Sequence, residues 1–238
     1  MSLNDIADAY DPSTPEKDFD YWLIQFDFEA LSKFLIGNSV IELGCGRGVQ
    51  TEKLACICKK LEVVEGSIKN IEFARNRIGE HRNVIFHESL WQDFEHEDDA
   101  SDVVFFMGLE YLDREMGRKV ILHSKDWLSE GGRLHVVVPN ANSLHRRVAH
   151  YMGIIEDPHE LSDRDRLYGH QLVYDKVDLF NLLIESGYKI RHWEGIFLKP
   201  LTNKMMMSLS EDVIRGFNKV GSELPDYCAH IYAVCEIQ

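Results

Sequence analysis

Basic charge is scarce in this 238-residue chain: 26 lysines and arginines stand against 40 aspartates and glutamates, for a formal net charge of −14. A nucleic-acid backbone is bound by clustered Lys and Arg, so nucleic acid is excluded as the general partner. The densest charge run, Glu95 to Asp99, is acidic and reads as a solvated loop. No apolar stretch approaches the roughly 20 residues a membrane helix needs, so no membrane partner is expected. The opening residues are acidic and polar, which gives no expectation of a signal peptide. Cysteine is sparse and odd in number (Cys45, Cys56, Cys58, Cys228 and Cys235), with no C-x-x-C. That is the usage of a reduced, cytoplasmic chain. Also lacking are a Gly-x-Ser-x-Gly elbow, a G-x-x-x-x-G-K phosphate loop, and any His, Cys and carboxylate cluster at ligand spacing. No metal is expected.

What is present is concentrated in residues 40 to 48, Val-Ile-Glu-Leu-Gly-Cys-Gly-Arg-Gly. An apolar strand breaks into a glycine loop and continues as a helix-like stretch from Val49 to Cys58. Gly44, Gly46 and Gly48 open backbone conformations closed to other residues and leave no side chain between chain and ligand. A second apolar run, Leu61-Glu62-Val63-Val64-Glu65, ends in an acid 21 residues after Gly44. Strand, glycine loop, helix, strand and terminal acid form the nucleotide-binding half of a doubly wound sheet.

Charge decides between ligands. A dinucleotide places a pyrophosphate on such a loop, usually with the spacing G-x-G-x-x-G. Here the spacing is G-x-G-x-G, and Glu42 stands at the mouth of the loop, where it repels a pyrophosphate. A ligand with an ammonium and a sulfonium suits the site better, and Glu65 is placed to accept from two ribose hydroxyls. Both favour S-adenosylmethionine over a nicotinamide cofactor. Arg47 points the other way, since an arginine in the loop can hold phosphate.

The run Glu42 to Gly48 resembles motif I of the class I S-adenosylmethionine-dependent methyltransferases, and the resemblance extends over roughly residues 38 to 195. Asp102-Val-Val-Phe-Phe-Met107 is similar to the family's fourth strand. Leu109-Glu110-Tyr111-Leu112 stands where many members have Leu-Glu-His-Val. Leu128 to Leu134 matches the turn into the fifth strand. Val138-Pro-Asn-Ala-Asn-Ser-Leu-His145 resembles members that modify small molecules or cell-surface sugars. The resemblance implies a Rossmann-like α/β fold, a doubly wound sheet of seven mainly parallel strands with the last one antiparallel. Two departures stand out. Tyr111 replaces the motif's histidine. The acid that often contacts the adenine amine aligns with Leu90, so that contact falls to Ser89, to backbone groups or to Asp93. The Asn/Asp-Pro-Pro-Tyr run of enzymes that methylate exocyclic amines is replaced by Met107-Gly108-Leu109, which favours an oxygen acceptor.

The chain reads as one domain over residues 1–238. Thr14-Pro15-Glu16 predicts a helix start, followed by an apolar stripe at Phe19, Trp22, Leu23, Phe26, Ala30 and Phe34. Residues 1–37 are thus a helical cap preceding the first strand. Helices are predicted from Ser67 to Ile78, from Asp113 to about Leu128 with Gly131-Gly132 ending it, and from Asp175 to Gly187. Val84 to Phe86, Asp102 to Met107, Arg133 to Val138, Lys189 to Glu194 and His230 to Ile237 are the remaining strands. Residues 140–175 form a connection far longer than usual. Leaving from a strand's carboxyl end, they read as an acceptor-binding lid. Residues 195–203 with Met205-Met206-Met207 are a second candidate wall.

Methyl transfer from a sulfonium needs alignment, water exclusion and a proton acceptor. The cofactor candidates are Glu42, Gly44, Cys45, Gly46, Gly48, Glu65, Gly66, Ser67, Ser89, Leu90, Trp91 and Met107. Tyr10, Tyr21 and Trp22 are candidates to close over the methionine end. For the base, position in the lid singles out His170, with His145 and Tyr174 behind it. The expected function is O-methylation of a small molecule or glycan precursor by a monomer or homodimer. A non-catalytic S-adenosylmethionine-binding protein and an NAD-dependent oxidoreductase are the alternatives.

Overall fold

The computed structural model describes residues 2–96 and 99–238. Glu97 and Asp98, in the middle of the acidic run, lie outside the described residues. In chain order the elements are α1 (Leu3–Ala9), α2 (Asp20–Leu31), β1 (Ser39–Leu43), α3 (Val49–Ile57), β2 (Lys60–Glu65), α4 (Ile68–Ile78) and β3 (Val84–Glu88). Then come β4 (Ala100–Phe106), α5 (Arg114–Trp127), β5 (Leu128–Pro139), α6 (Leu144–Tyr151), α7 (Asp163–Leu167) and α8 (Lys176–Glu185). β6 (Tyr188–Ile196), α9 (Asn203–Met206), α10 (Glu211–Gly221) and β7 (His230–Ile237) complete the chain.

The seven strands form one sheet in the order β3-β2-β1-β4-β5-β7-β6. β1 pairs in parallel with β2 and β4, and β5 in parallel with β4, whereas β7 runs antiparallel to both β5 and β6. This is the seven-stranded, mainly parallel arrangement expected. Strand periodicity sorts the residues onto two faces. Ile41, Leu43, Val103, Phe105, Ile231 and Ala233 pack into the cluster that α5 and α8 cover. Val40, Val104, Tyr232 and Val234 face the other way, toward α2, α3 and α10. Glu42, Phe106 and His230 belong to this second face by the same alternation, and all three stand at the edge where the parallel strands end.

Local signals were accurate where a cap or a glycine carries the physics. Ser67, Asp113 and Asp175 cap α4, α5 and α8 through their side chains, and Gly79 ends α4 at φ +65°. Three expectations are corrected. Thr14-Pro15-Glu16 starts no helix: the chain makes one turn, with Asp18 N bonded to Thr14 O, and α2 begins at Asp20. The Asp18 carboxylate then takes Asp20 N, Arg164 and Asn203, which hold it outside a helix. Gly131-Gly132 does not end α5, since Leu128 already pairs with Ala100. Those glycines sit at an irregularity of β5, where a Cβ on Gly132 would come within 3.0 Å of Ala100 O. Of the three adjacent methionines, Met206 is in the core while Met205 and Met207 are exposed, and none lines the cavity described below. The helices α1, α9 and α10 carried no distinct sequence signal.

Gly48 is the tightest of the loop glycines. It sits at φ +75°, and a Cβ there would be 2.6 Å from Ala74 Cα on α4. We expect Gly48→Ala to destabilise the fold by about 2–4 kcal/mol, combining left-handed strain with overpacking. Urea unfolding measures this; an unchanged midpoint would refute the close approach of α3 to α4.

Candidate active site

The loop after β1 forms the floor of a cavity of about 310 Å³ at the carboxyl edge of the sheet. Gly44 leaves the strand at φ +84°, its amide bonded to Val64 O at 2.9 Å. Gly46 follows at φ +47°, and a Cβ there would meet nothing within 4 Å, since its outer face opens on the cavity. Glu65, at the end of β2, fastens the loop. Its carboxylate accepts from Cys45 N at 3.1 Å and from Ser67 N at 2.8 Å. Cys45 Sγ donates weakly to the same oxygen as Cys45 N, at 3.7 Å, and the oxygen facing Ser67 N retains a further lone pair.

Glu42 is different. It is 1% exposed, and neither carboxylate oxygen makes a well-formed hydrogen bond among the described residues, with the Thr51 hydroxyl as the side-chain donor acting on it. Burial, with the Glu65 charge adding to it against the opposing pull of Thr51, pushes its pKa up to about 8. A buried carboxyl without a well-formed hydrogen bond is costly and calls for a ligand.

The side walls come from the loops after β2, β3 and β4. Gly66, Leu90, Trp91 and Met107 all line the cavity. Trp91 donates Nε1–H to Val64 O at 3.1 Å, and its ring meets Phe105 edge-on at 5.0 Å. The indole is thus pinned beneath Gly44 while one side faces the cavity. Met107 lies at φ +52°, a left-handed conformation rare outside glycine. Three cofactor candidates stand off the wall: Gly48 packs on α4, Ser67 caps α4, and the Ser89 hydroxyl donates to Leu90 O. Asp93 is also absent from the wall, and Gln92 takes that place.

The roof is α1. Leu3, Ile6, Ala7 and Tyr10 close the cavity from above. Arg47 holds them there: Nη2 donates to Ala7 O at 2.6 Å, Nε to Tyr10 O at 3.1 Å, and the guanidinium lies 3.7 Å from the Phe73 ring centroid. The loop arginine is therefore committed to the carbonyl end of α1. Ser67 Oγ adds a bond to Asn4 at 2.7 Å. Of the aromatic residues expected to close this end, Tyr10 lines the cavity. Trp22 instead stacks on Phe26, and Tyr21 packs edge-on to Trp22.

The far end is lined by Ile24, Asp27, Phe106, Met107 and Tyr111. Behind it lies a buried polar layer. Tyr10 donates to Asp20 at 3.1 Å; Arg164 of α7 reaches Asp18 and Asp20, each at 2.8 Å; Asn203 donates to both acids, and Lys199 donates to Asn203. Asp27 accepts from His230 Nδ1 at 2.9 and 3.1 Å.

None of the three lid candidates for the base lines the cavity. His170 lies behind Tyr111, its ring edge-on at 4.8 Å and its Nδ1 3.2 Å from Asp165. His145 is held well below the ordinary histidine range by burial and by the cations Lys199 and Arg146. Tyr174 is a core residue, 1% exposed, whose hydroxyl would lie 3.3 Å from a Cβ on Gly117. Burial pushes its pKa up to about 12. The sequence assigns Asp27 and His230 no role, while Glu110 falls within the Leu109–Leu112 motif and Lys199 within the 195–203 candidate wall. A histidine opening the last strand was the one available signal. Among the described residues His159, Asp175 and Asp178 do come within ligand distance of one another, contrary to expectation. The cluster is at the surface, with Asp178 paired to Arg114 and Asp175 capping α8.

Residues 40–132 match the family described as a methyltransferase domain. No curated protein sequence matches the chain. Among solved structures, the N-methyltransferase NodS from Bradyrhizobium japonicum, in complex with S-adenosyl-L-homocysteine, is similar at a TM-score of 0.59 and 17% identity. The match covers 94% of this chain and 89% of that one. An S-adenosylmethionine-dependent methyltransferase from Mesorhizobium loti is similar at 0.62 and 15%, covering 87% and 95%. Magnesium protoporphyrin IX methyltransferase from Synechocystis, with bound S-adenosylhomocysteine, is similar at 0.62 and 14%, covering 92% and 84%. Likeness at these identities is likeness of fold.

The Arg47 clasp generates a prediction. Arg47→Met removes two charge-assisted bonds to α1 carbonyls and should raise amide exchange in residues 3–9 by roughly tenfold or more. Equal protection in the variant, followed by hydrogen exchange, would show that α1 is held by its apolar contacts alone.

Proposed function

We propose that this chain, which belongs by its methyltransferase domain and fold to the class I S-adenosylmethionine-dependent methyltransferases, moves the methyl of S-adenosylmethionine to a hydroxyl of a small-molecule or glycan-precursor acceptor. The observation that carries the reading is the pair of buried acids at the loop: Glu42 with no well-formed hydrogen bond and Glu65 with a lone pair to spare on Oε1. S-adenosylmethionine supplies a methyl already activated on a sulfonium. The chain's residues do the rest. Glu65 accepts from the ribose hydroxyls. Leu90, Trp91 and Gln92 border the adenine. Glu42 provides the negative potential that a cation needs, and Gly44 to Gly46 let the backbone approach. Met107 and Tyr111 border the transferred methyl, and α1 excludes water.

The nicotinamide reading loses its one support. Arg47 is consumed by α1, so it offers no fork to a phosphate. Turnover on a panel of phenols and sugars separates an enzyme from a non-catalytic binder, and methylation of amines alone would overturn the oxygen preference.

Two predictions follow from the acids. Glu65→Ala should weaken S-adenosylmethionine binding by about 2–4 kcal/mol, since two hydroxyls lose a charged acceptor. Isothermal titration that returns the wild-type dissociation constant would remove Glu65 from the ribose.

The second concerns pH. With its pKa raised to about 8, Glu42 is mostly protonated in the free chain at neutral pH, and the ionised form is the one that attracts a cation. Affinity should therefore rise as pH climbs from 5.5 to 7.5, by up to about tenfold per unit, with uptake of the cation releasing a proton. Glu42→Gln should flatten the profile. Titration in buffers of different ionisation enthalpy reads the proton directly, and no release from wild type would contradict the assignment.

A further inference from the structure

The lid histidines stand off the cavity wall, yet a hydroxyl acceptor must lose its proton as the methyl arrives. We propose that the Asp27–His230 pair is the proton acceptor: Asp27 touches the incoming hydroxyl, and His230 holds and balances it. The inference rests on the methyltransferase reading above and names the groups that complete its chemistry.

Asp27 is the one carboxylate at the far end of the cavity, beside Ile24, Phe106, Met107 and Tyr111 and opposite the Glu65 end. It projects from the sheet-facing side of α2, among Leu23, Phe26 and Ala30, and is 1% exposed. His230 reaches it by topology. β7 runs antiparallel, so its first residue pairs with Pro139, the last of β5, and with Ile196, the last of β6. Alternation along β7 points His230 to the face that α2 covers, where Nδ1 meets Asp27 at 2.9 and 3.1 Å. Nδ1 is therefore committed to the carboxylate.

A buried ion pair of this kind is a poor device for stability, because desolvation offsets the attraction. Its surroundings fit a site instead. The charged groups acting on His230 are Asp27, Asp20 and Lys199, and His230 in turn acts on Glu110 and His145. Glu110 is fully buried with both oxygens unpartnered, and Nδ1 of His145 is also without a hydrogen-bond partner among the described residues. Burial raises Asp27 above the ordinary carboxylate range despite the opposing histidine, and Asp27 raises His230 against the effect of burial. A more basic carboxyl at neutral pH is a better proton acceptor.

The step balances. The acceptor oxygen forms its bond to the methyl carbon as the carbon–sulfur bond breaks, and that electron pair stays on sulfur. The hydroxyl proton passes to Asp27, so one positive and one negative charge disappear together. His230 acts through Asp27 and is a positioning residue.

The test uses the full chain saturated with S-adenosylhomocysteine and 4-nitrophenol as the hydroxyl probe, since its ionised form is coloured. Titration with S-adenosylhomocysteine and a thermal melt are run on every variant. Wild type is expected to show the bound phenolate at a pH where the free probe is neutral. Asp27→Asn should abolish that band, and His230→Gln should move its appearance along the pH axis, with cofactor binding retained in both. In single-turnover methylation of the same probe, Asp27→Asn should cost ~100-fold or more in rate. If wild type fails to bind S-adenosylhomocysteine, the methyltransferase reading falls and this one with it. If the cofactor binds but wild type shows no phenolate, or Asp27→Asn keeps the band and the rate, only the Asp27–His230 assignment falls. Should Asp27→Asn fail to fold, an unmoved pH dependence in His230→Gln overturns the proposal.

Discussion

The grip of Glu65 on two backbone amides is the contact on which the rest of the site depends. Cys45 N belongs to the loop leaving β1, and Ser67 N belongs to the turn entering α4. One carboxylate thereby fixes two chain segments that the sheet alone leaves free, because strands order only what lies between their ladder bonds. Charge-assisted bonds to backbone amides are among the stronger ones a side chain can make. With the loop held, its glycines keep their left-handed turns, Gly48 nests on Ala74, and Arg47 is aimed upward at α1.

The loop, the roof and the 140–175 connection then form one mechanical chain. Arg47 binds the carbonyl end of α1; Tyr10, just past that end, bonds Asp20 on α2 and packs on Tyr168 of that connection at 5.0 Å. Arg164 closes the circuit by bridging α7 to Asp18 and Asp20. The segment before the first strand is thus a wall of the cavity. Such buried polar networks specify a single arrangement when every member is satisfied.

Acidity runs through the site as well as the composition. Glu42, Glu65 and Asp27 all line the cavity, and Arg47 is the one arginine or lysine there, committed to carbonyl oxygens. A cavity of that sign rejects phosphates and favours cations. The same low dielectric that raises Glu42 and Asp27 makes each responsive to a neighbouring charge.

The sequence by itself determined the parts that rest on local physics. Glycines that must turn left-handed, capping residues such as Ser67, Asp113 and Asp175, and apolar runs ending in Glu42-Leu43 and Glu65 are all readable within a few residues. From them came the sheet, the loop and the cavity residues Glu42, Gly44, Cys45, Gly46, Glu65, Gly66, Leu90, Trp91 and Met107. The Asp27 end of the cavity was decided by tertiary structure. Asp27 and His230 are 203 positions apart, and only the crossing of α2 over the edge of an antiparallel β7 brings them together. Arg47 looked like a phosphate ligand because nothing in its neighbours announces that α1 will fold back over it. His170, His145 and Tyr174 were singled out by their place in a long connection, but which way a lid packs its side chains is set by contacts with distant elements, and there those contacts turn all three away from the cavity.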